Sequence, residues 1–324
     1  MALITKDLKK AIAFLNTNEL VAIPTETVYG LAANGTQVKA IQKIFQAKNR
    51  PANNPLILHF PDLPSMVPYT GPLHDDALKL ANAFWPGPLT LLVPKTGKVP
   101  EIITAGNTRV AVRIPAHPLT RELLEKISYP LAAPSANPSG YISPTLPEHV
   151  EKQLGERIPL ILDGGPCEKG IESTILGWDE NQWPIIYRAG SITAEEIQKV
   201  LNKKPLIADA RIKTLEAPGM LTSHYSPRTP TIVTNDVKGA IAHNAGKKIG
   251  IIYAMHKPGT KGIFKEIILS ETGSLEEIAR NLYKSMHEMD HSGIDILIIE
   301  KIPEEGVGKA INDRLNRAST LTYP

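Results

Sequence analysis

Lys48 and Arg50 flank Asn49 in the stretch KNRPANNPLILHF, residues 48–60, which also holds Pro51, Pro55, Asn53, Asn54 and His59. An arginine fork grips two phosphate oxygens at once and a lysine adds a mobile point charge, so the pair suits a polyphosphate. The same two cations equally suit a helix C-terminus, where they complement the dipole of any helix, and His59 equally suits a strand histidine with its hydrogen bonds satisfied. PSANPSG (134–140) sets Ser135, Asn137 and Ser139 between prolines, which fits a ligand-receiving loop and also fits ordinary turn chemistry. In GIESTIL, Glu172, Ser173 and Thr174 open a strand just after two glycine turns. Arg113 is the least ordinary of these residues. It stands inside the apolar frame VAVRIP, and a cation on a buried strand must be paired or must face a cleft, because desolvating it alone is costly.

Other chemistries lack their residues. Gly165 and Gly170 have the spacing of a phosphate-binding P-loop, but Ile171 and Glu172 stand where Lys and Ser or Thr are needed. There is no Cys-x-x-Cys spacing for a metal, and His224, in SHYSP, belongs to no Ser-His-Asp set. Cys167 is the only cysteine, which excludes a disulfide within the chain and points to a reducing, cytoplasmic setting. A formal charge of +3, from 36 basic and 33 acidic residues, and only 5% aromatic residues argue against a broad nucleic-acid surface. A small anion held by a few cations fits better. The N-terminus has no signal-peptide pattern and no stretch approaches a membrane span, so a soluble protein is expected.

The elements that must position these residues follow from periodicity. Thr5 is expected to cap a helix with Leu8, Ile12 and Leu15 on one face, and 20–23 reads as a buried strand. Thr36 is expected to cap a second helix, with Val38, Ile41, Ile44 and Phe45 on one face, ending near Lys48. KNRPANN is then a helix-to-strand loop, followed by strand 56–60, helix 75–84, strands 89–93 and 110–114, helix 117–127, and strand 130–133 running into PSANPSG. Residues 159–162, 173–176 and 185–187 read as short strands, giving an α/β sheet of mixed direction. Many of the 28 prolines sit at segment edges and stiffen the loops. Periodicity fades from about 203 to 230, where LEAPGMLTSHYSPRTP has linker composition. Beyond it, strands at 231–234, 248–253, 263–269 and 294–299 alternate with a helix that Ser274 and Glu277 open as a capping box, its buried face carrying Leu275, Ile278, Leu282, Met286 and Met289. That pattern predicts a small, largely parallel open sheet, and no G-x-G-x-x-G marks a dinucleotide site in it.

Five motifs in order, PTETVYGL (24–31), KNRPANNPL (48–56), VRIP (112–115), PSANPSG (134–140) and ESTIL (172–176), followed by HYSP in the linker, resemble the threonylcarbamoyl-AMP synthase family in its two-domain form. The resemblance covers essentially the whole chain. It implies a YrdC-like twisted mixed sheet with helices over 1–204, a linker or lid over 205–230, and a smaller Rossmann-like α/β domain over 231–324. It implies synthesis of L-threonylcarbamoyladenylate and pyrophosphate from L-threonine, bicarbonate or CO2, and ATP with Mg2+, the product passing to a tRNA threonylcarbamoyl transferase. The family's threonine site maps onto Thr27, His59, Arg113, the backbone near Ala133, and Ser173. Its nucleotide site maps onto Lys48, Arg50, Asn54, Ser135, Asn137, Ser143, Arg188 and Tyr225, with Lys48 and Arg50 the catalytic cations. Arg109 stands where relatives often carry threonine and adds a backbone contact at most. Tyr225 with the hinge residue Gly219 suggests a lid over the product. The alternatives are an RNA-binding protein, disfavoured by the balanced charge, or an ATP-sensing module without catalysis.

Overall fold

The computed structural model describes residues 1–208, 225–256, 262–321 and 323. These fall into two units: the first holds Met1–Ser139, Pro144–Glu168 and the described part of Glu172–Leu221, the second Gly140–Ser143, Lys169–Ile171 and the described part of Thr222–Pro324.

The first unit is built on β1 (Leu3–Thr5), β2 (Val21–Ile23), β3 (Gly30–Asn34), β4 (Ile57–His59), β5 (Leu89–Pro94), β6 (Arg109–Arg113), β7 (Leu131–Ala132), β8 (Leu160–Leu162), β9 (Thr174–Trp178), β10 (Pro184–Arg188) and β11 (Leu206–Ile207). They form one sheet in the order β1-β8-β2-β3-β7-β4-β6-β5-β9-β10-β11. Direction is mixed, as the sequence predicts: β4 runs parallel to β6, while β7 opposes both β3 and β4. Alternation sorts the side chains. Leu58, Val110 and Val112 enter the main core with Leu31, Ile41 and Ile44, whereas Ile57 and Ala111 join Leu92, Ile175 and Tyr187 on the opposite face. The sheet continues to Ile207, past residue 204, because β11 pairs in parallel with β10.

Helices Val38–Lys48, Asp75–Phe84 and Pro118–Glu125 lie where the periodicity predicts them, but two caps differ. Thr5 is committed to β1, so the first helix, Leu8–Asn16, is capped by Asp7, whose carboxylate accepts from Lys9 N at 2.9 Å. Thr36 spends its hydroxyl on Asn34 Oδ1 at 2.7 Å, and Gln37 opens the next helix without a side-chain bond. The strand GLAAN of β3 has no alternation to read, since all five of its residues are buried.

The second unit carries β12 (Thr231–Thr234), β13 (Ile249–Tyr253), β14 (Lys265–Ile268) and β15 (Ile296–Glu300), all parallel, in the order β12-β15-β13-β14. Helix Leu275–Asp290 buries Ile278, Leu282, Met286 and Met289. Ser274 accepts from Glu277 N at 3.2 Å, but the Glu277 carboxylate turns to Ser270 and Thr272, so only half of the expected capping box forms. The complete box is at Thr193 and Glu196, ahead of Ala194–Leu201. Most of the expected linker, 209–224 with Gly219 and His224, lies outside the described residues.

Candidate active site

Strand register gathers residues expected on the threonine side. His59 ends β4 and stands opposite Arg113, which ends β6, and opposite Leu131 of β7. On this face the side chains leave the main core, so both project where β2 has just given way to the loop PTETV. Arg113, only 4% exposed, donates from Nη2 to Glu26 Oε1 at 2.6 Å, from Nη1 to Thr27 Oγ1 at 3.0 Å and from Nε to Gly87 O at 3.2 Å. The cation on a buried strand is therefore paired. Burial alone would raise the Glu26 pKa, but the Arg113 charge and hydrogen bond, with the Ala116 N–H, outweigh it and hold the carboxyl below its usual range. A guanidinium has five N–H donors, so one on each Nη of Arg113 has no partner among the described residues.

Next to this pair, His59 is buried and its Nδ1 has no hydrogen-bond partner among the described residues. Burial first, and the Arg113 charge second, lower its pKa to about 3, which leaves a neutral imidazole with one unmet polar atom. Ala133, just past β7, donates its N–H to Ile57 O at 3.0 Å and packs so close to β3 that a Cβ on Gly30 would lie 3.3 Å from its own.

Several of the residues expected on the nucleotide side form a second cluster. Lys48 ends its helix, and Asn49 turns the chain with φ 51°. Lys48 is 1% exposed and its ammonium donates to the carbonyls of Ser135, at 2.5 Å, and Asn137. No carboxylate meets it among the described residues, and burial, with the Arg50 charge added, pulls its pKa well below the ordinary lysine value. Arg50 staples its own loop by donating to Asn54 O at 3.1 Å, Asn54 Oδ1 at 2.5 Å and Pro55 O at 2.8 Å. Because arginine can only donate, Asn54 must present Oδ1 to it, and Asn54 Nδ2 is then buried without a partner among the described residues. The two clusters share a backbone: Ser135 bridges Gly30, and Ala136 N donates to Tyr29 O at 2.8 Å, two residues beyond Thr27.

Ser173 and Arg188 make a third cluster. Arg188 donates to Ser173 O from Nε at 3.1 Å and from Nη2 at 2.9 Å, and to Ser173 Oγ at 3.0 Å. Thr174 N reaches Pro88 O at 3.0 Å, which ties this cluster to the Gly87 carbonyl that holds Arg113. Within the first unit, one expected residue lies apart from these clusters. Arg109 occupies the far end of β6, where its guanidinium donates to Trp178 O at 2.9 Å and Tyr187 Oη at 2.8 Å. Ser143 and Tyr225 belong to the second unit: Ser143 O meets His287 Nε2 at 3.1 Å, and Tyr225 stacks on Tyr283 at 5.8 Å with Arg314 over its ring at 5.1 Å. Sequence reasoning passed over Glu26. Its signal was present, because a lone carboxylate in PTETV at the end of a buried strand is the partner that Arg113 requires.

Comparison with known proteins places the chain in a family. A family profile described as "Telomere recombination" (Sua5, YciO and YrdC) matches residues 13–190, and one described as "Threonylcarbamoyl-AMP synthase, C-terminal domain" matches 192–320. A threonylcarbamoyl-AMP synthase from Pyrococcus abyssi is 40% identical over 323 residues, covering 95% of this chain and 93% of that one. The chain belongs to the threonylcarbamoyl-AMP synthase family. A second member, from Bacillus subtilis, is 39% identical over 320 residues, 96% of this chain and 92% of its own. The crystal structure of P. abyssi Sua5 complexed with L-threonine superposes with a TM-score of 0.90 at 38% identity, covering 98% of this chain and 97% of that one. The fold likeness to this family extends over both units, including the mixed sheet and the smaller parallel one.

Proposed function

We propose that this chain is a threonylcarbamoyl-AMP synthase that joins L-threonine, bicarbonate or CO2, and ATP into threonylcarbamoyl-AMP and pyrophosphate. The observation that carries the reading is Lys48: a buried ammonium that, among the described residues, is held only by carbonyl oxygens needs an anion to complete its charge, and a triphosphate supplies one. Asn54 Nδ2 adds a buried donor on the same loop, with Arg50 fixed beside it. Magnesium enters as the counter-ion of the triphosphate. Phosphate oxygens and water would supply most of its ligands.

On the threonine side, the two remaining Arg113 donors receive the substrate carboxylate while Glu26 keeps the guanidinium oriented. The threonine hydroxyl is the group that suits His59 Nδ1, and a buried polar atom left unmet by valine or alanine makes that hydroxyl a strong selector. The amine attacks CO2 to form an N–C bond and releases a proton, giving a carbamate. A carbamate oxygen then bonds to the α-phosphorus of ATP as the bond from that phosphorus to the bridging oxygen breaks, and pyrophosphate leaves with the electron pair. This step needs alignment and charge neutralisation rather than covalent catalysis, which is the service that Lys48, Arg50 and Arg188 offer. The product, a mixed anhydride, would pass to a tRNA-modifying transferase, and a cytoplasmic setting is part of the same proposal. No described helix is long and apolar enough to cross a membrane.

The test mixes the protein with ATP, magnesium, bicarbonate and each amino acid in turn, following pyrophosphate and the adenylate. Threonine-dependent release of both is expected, and its absence would overturn the reading.

A further inference from the structure

Thr90, on β5, is fully buried and carries a hydroxyl that no motif singled out. Its Oγ1 lies 2.7 Å from Ser173 Oγ, which also receives the Arg188 N–H at 3.0 Å. A guanidinium has no acceptor, so the Arg188 bond uses one of the two Ser173 lone pairs. Two protons remain, one on each hydroxyl, and among the described residues neither Thr90 Oγ1 nor Ser173 Oγ has a further partner. One proton fills the short O···O contact and the other has no acceptor. If Ser173 donated, the unmet proton would belong to Thr90, sealed inside the sheet at zero exposure. If Thr90 donates, the unmet proton is that of Ser173, which sits beside the Gly87–Pro88 turn that carries Arg113. A substrate oxygen arriving there removes the last deficit.

We infer that Thr90 is a positioning residue: by donating to Ser173 Oγ it closes that oxygen's second lone pair and leaves Ser173 as an obligate hydrogen-bond donor to the carboxylate of the amino-acid substrate. Arg188 and Thr90 together fix the direction of the Ser173 proton. The inference rests on the threonylcarbamoyl-AMP synthase reading of the site.

The test is steady-state kinetics of the full chain with Thr90→Val, which keeps the shape and removes the hydroxyl, and Thr90→Ser, which restores it. Thr90→Val is expected to raise KM for threonine roughly 10-fold, as loss of one hydrogen bond to a charged group does, with KM for ATP within about twofold of wild type. Thr90→Ser is expected to return the threonine KM to within about threefold. Threoninamide, whose carboxylate is replaced by a neutral amide, should compete equally well with threonine in wild type and Thr90→Val. An unchanged threonine KM, equal rises in both KM values, or failure of serine to restore it would overturn the inference, since a structural role alone moves thermal stability without splitting the two substrates. If Thr90→Val does not fold, Thr90→Cys takes its place against the same serine control. A wild-type protein without threonine-dependent product would instead overturn the functional reading on which the inference stands.

Discussion

The Arg113–Glu26 pair changes what a substitution at Arg113 measures. Both side chains are buried, at 5% and 4% exposure, so removing the arginine strands a carboxylate in the sheet as well as emptying the proposed threonine site. Arg113→Ala should therefore cost about 3–5 kcal/mol of stability in urea unfolding, and Glu26→Gln, which keeps the shape, should cost less. His59 adds a pH dependence. Its pKa is lowered to about 3 in the folded chain, so between roughly 6.5 and 3 the unfolded state binds the extra proton and stability falls as pH drops. Glu26 acts in the same direction lower down, its contribution present above the ordinary carboxylate range and lost below it. Replacing His59 by Gln should flatten the stability profile between pH 6.5 and 5, where wild type is expected to lose up to about 1.4 kcal/mol per pH unit. An identical slope in both proteins would count against the buried neutral imidazole. Lys48 makes a binding prediction: a bound triphosphate raises its depressed pKa, so nucleotide binding should take up protons at alkaline pH, read by calorimetry in buffers of different ionisation enthalpy. At this scale Arg113 was legible in the sequence because an isolated cation contradicts an apolar strand. The burial of Lys48 was not, because a lysine at a helix end looks the same in sequence whether it is buried or solvated.

At the scale of elements, a bulge in the β9–β10 ladder aims Arg188. Ile186 stands opposite Leu176, yet Arg188 stands opposite Ile175, so two steps along β10 match one along β9, and the turn of the chain brings the guanidinium onto Ser173. Gly190 then passes so close that a Cβ there would lie 2.4 Å from Thr174 N and 2.5 Å from Ser173 C. Backbone on both sides cannot give way easily, so Gly190→Ala is expected to displace Ser173 and raise the threonine KM by about 10-fold or more, with a smaller effect at Gly97, where a Cβ meets nothing within 4 Å. Helices Asp75–Phe84 and Leu275–Asp290 were readable from their 3.6-residue pattern, whereas Leu63–Thr70, Pro147–Leu154, Ala194–Leu201, Val237–His243 and Gly308–Ala318 were not among the expected elements. The bulge left no trace in the sequence, since register is a property of two strands. Caps were only partly readable: Thr5, Asp7 and Thr36 are all good capping types, and pairing in β1 and the Asn34 turn decided which were used.

In the whole molecule, the second unit takes in two short pieces that the sequence assigns to the first domain, Gly140–Ser143 and Lys169–Ile171. Tyr141 Oη donates to Asp290 Oδ2 at 2.5 Å, Asp290 Oδ1 accepts from Thr229 N at 2.7 Å, and Ser143 O meets His287 Nε2 at 3.1 Å. Gly170 has φ 75° and packs so tightly that a Cβ would lie 2.4 Å from Arg280 Cα. The loop that begins with Ser135 and Asn137, whose carbonyls hold Lys48, thus continues directly into residues whose packing comes from helix Leu275–Asp290. A chain ending at residue 208 keeps the eleven strands of the first sheet but removes every partner of Tyr141 and Ser143 named here. Such a truncation should retain strand signal in circular dichroism while the KM for ATP rises roughly 10- to 100-fold, because displacement of a positioning loop by even an ångström is that costly. Tyr141→Phe in the full chain should show a smaller change of the same kind, and Tyr141→Phe combined with Asp290→Asn should be no worse than the more damaging single change, as expected of two groups that act through one bond. Full nucleotide use by the truncated chain would show that the loop holds its shape without the second unit.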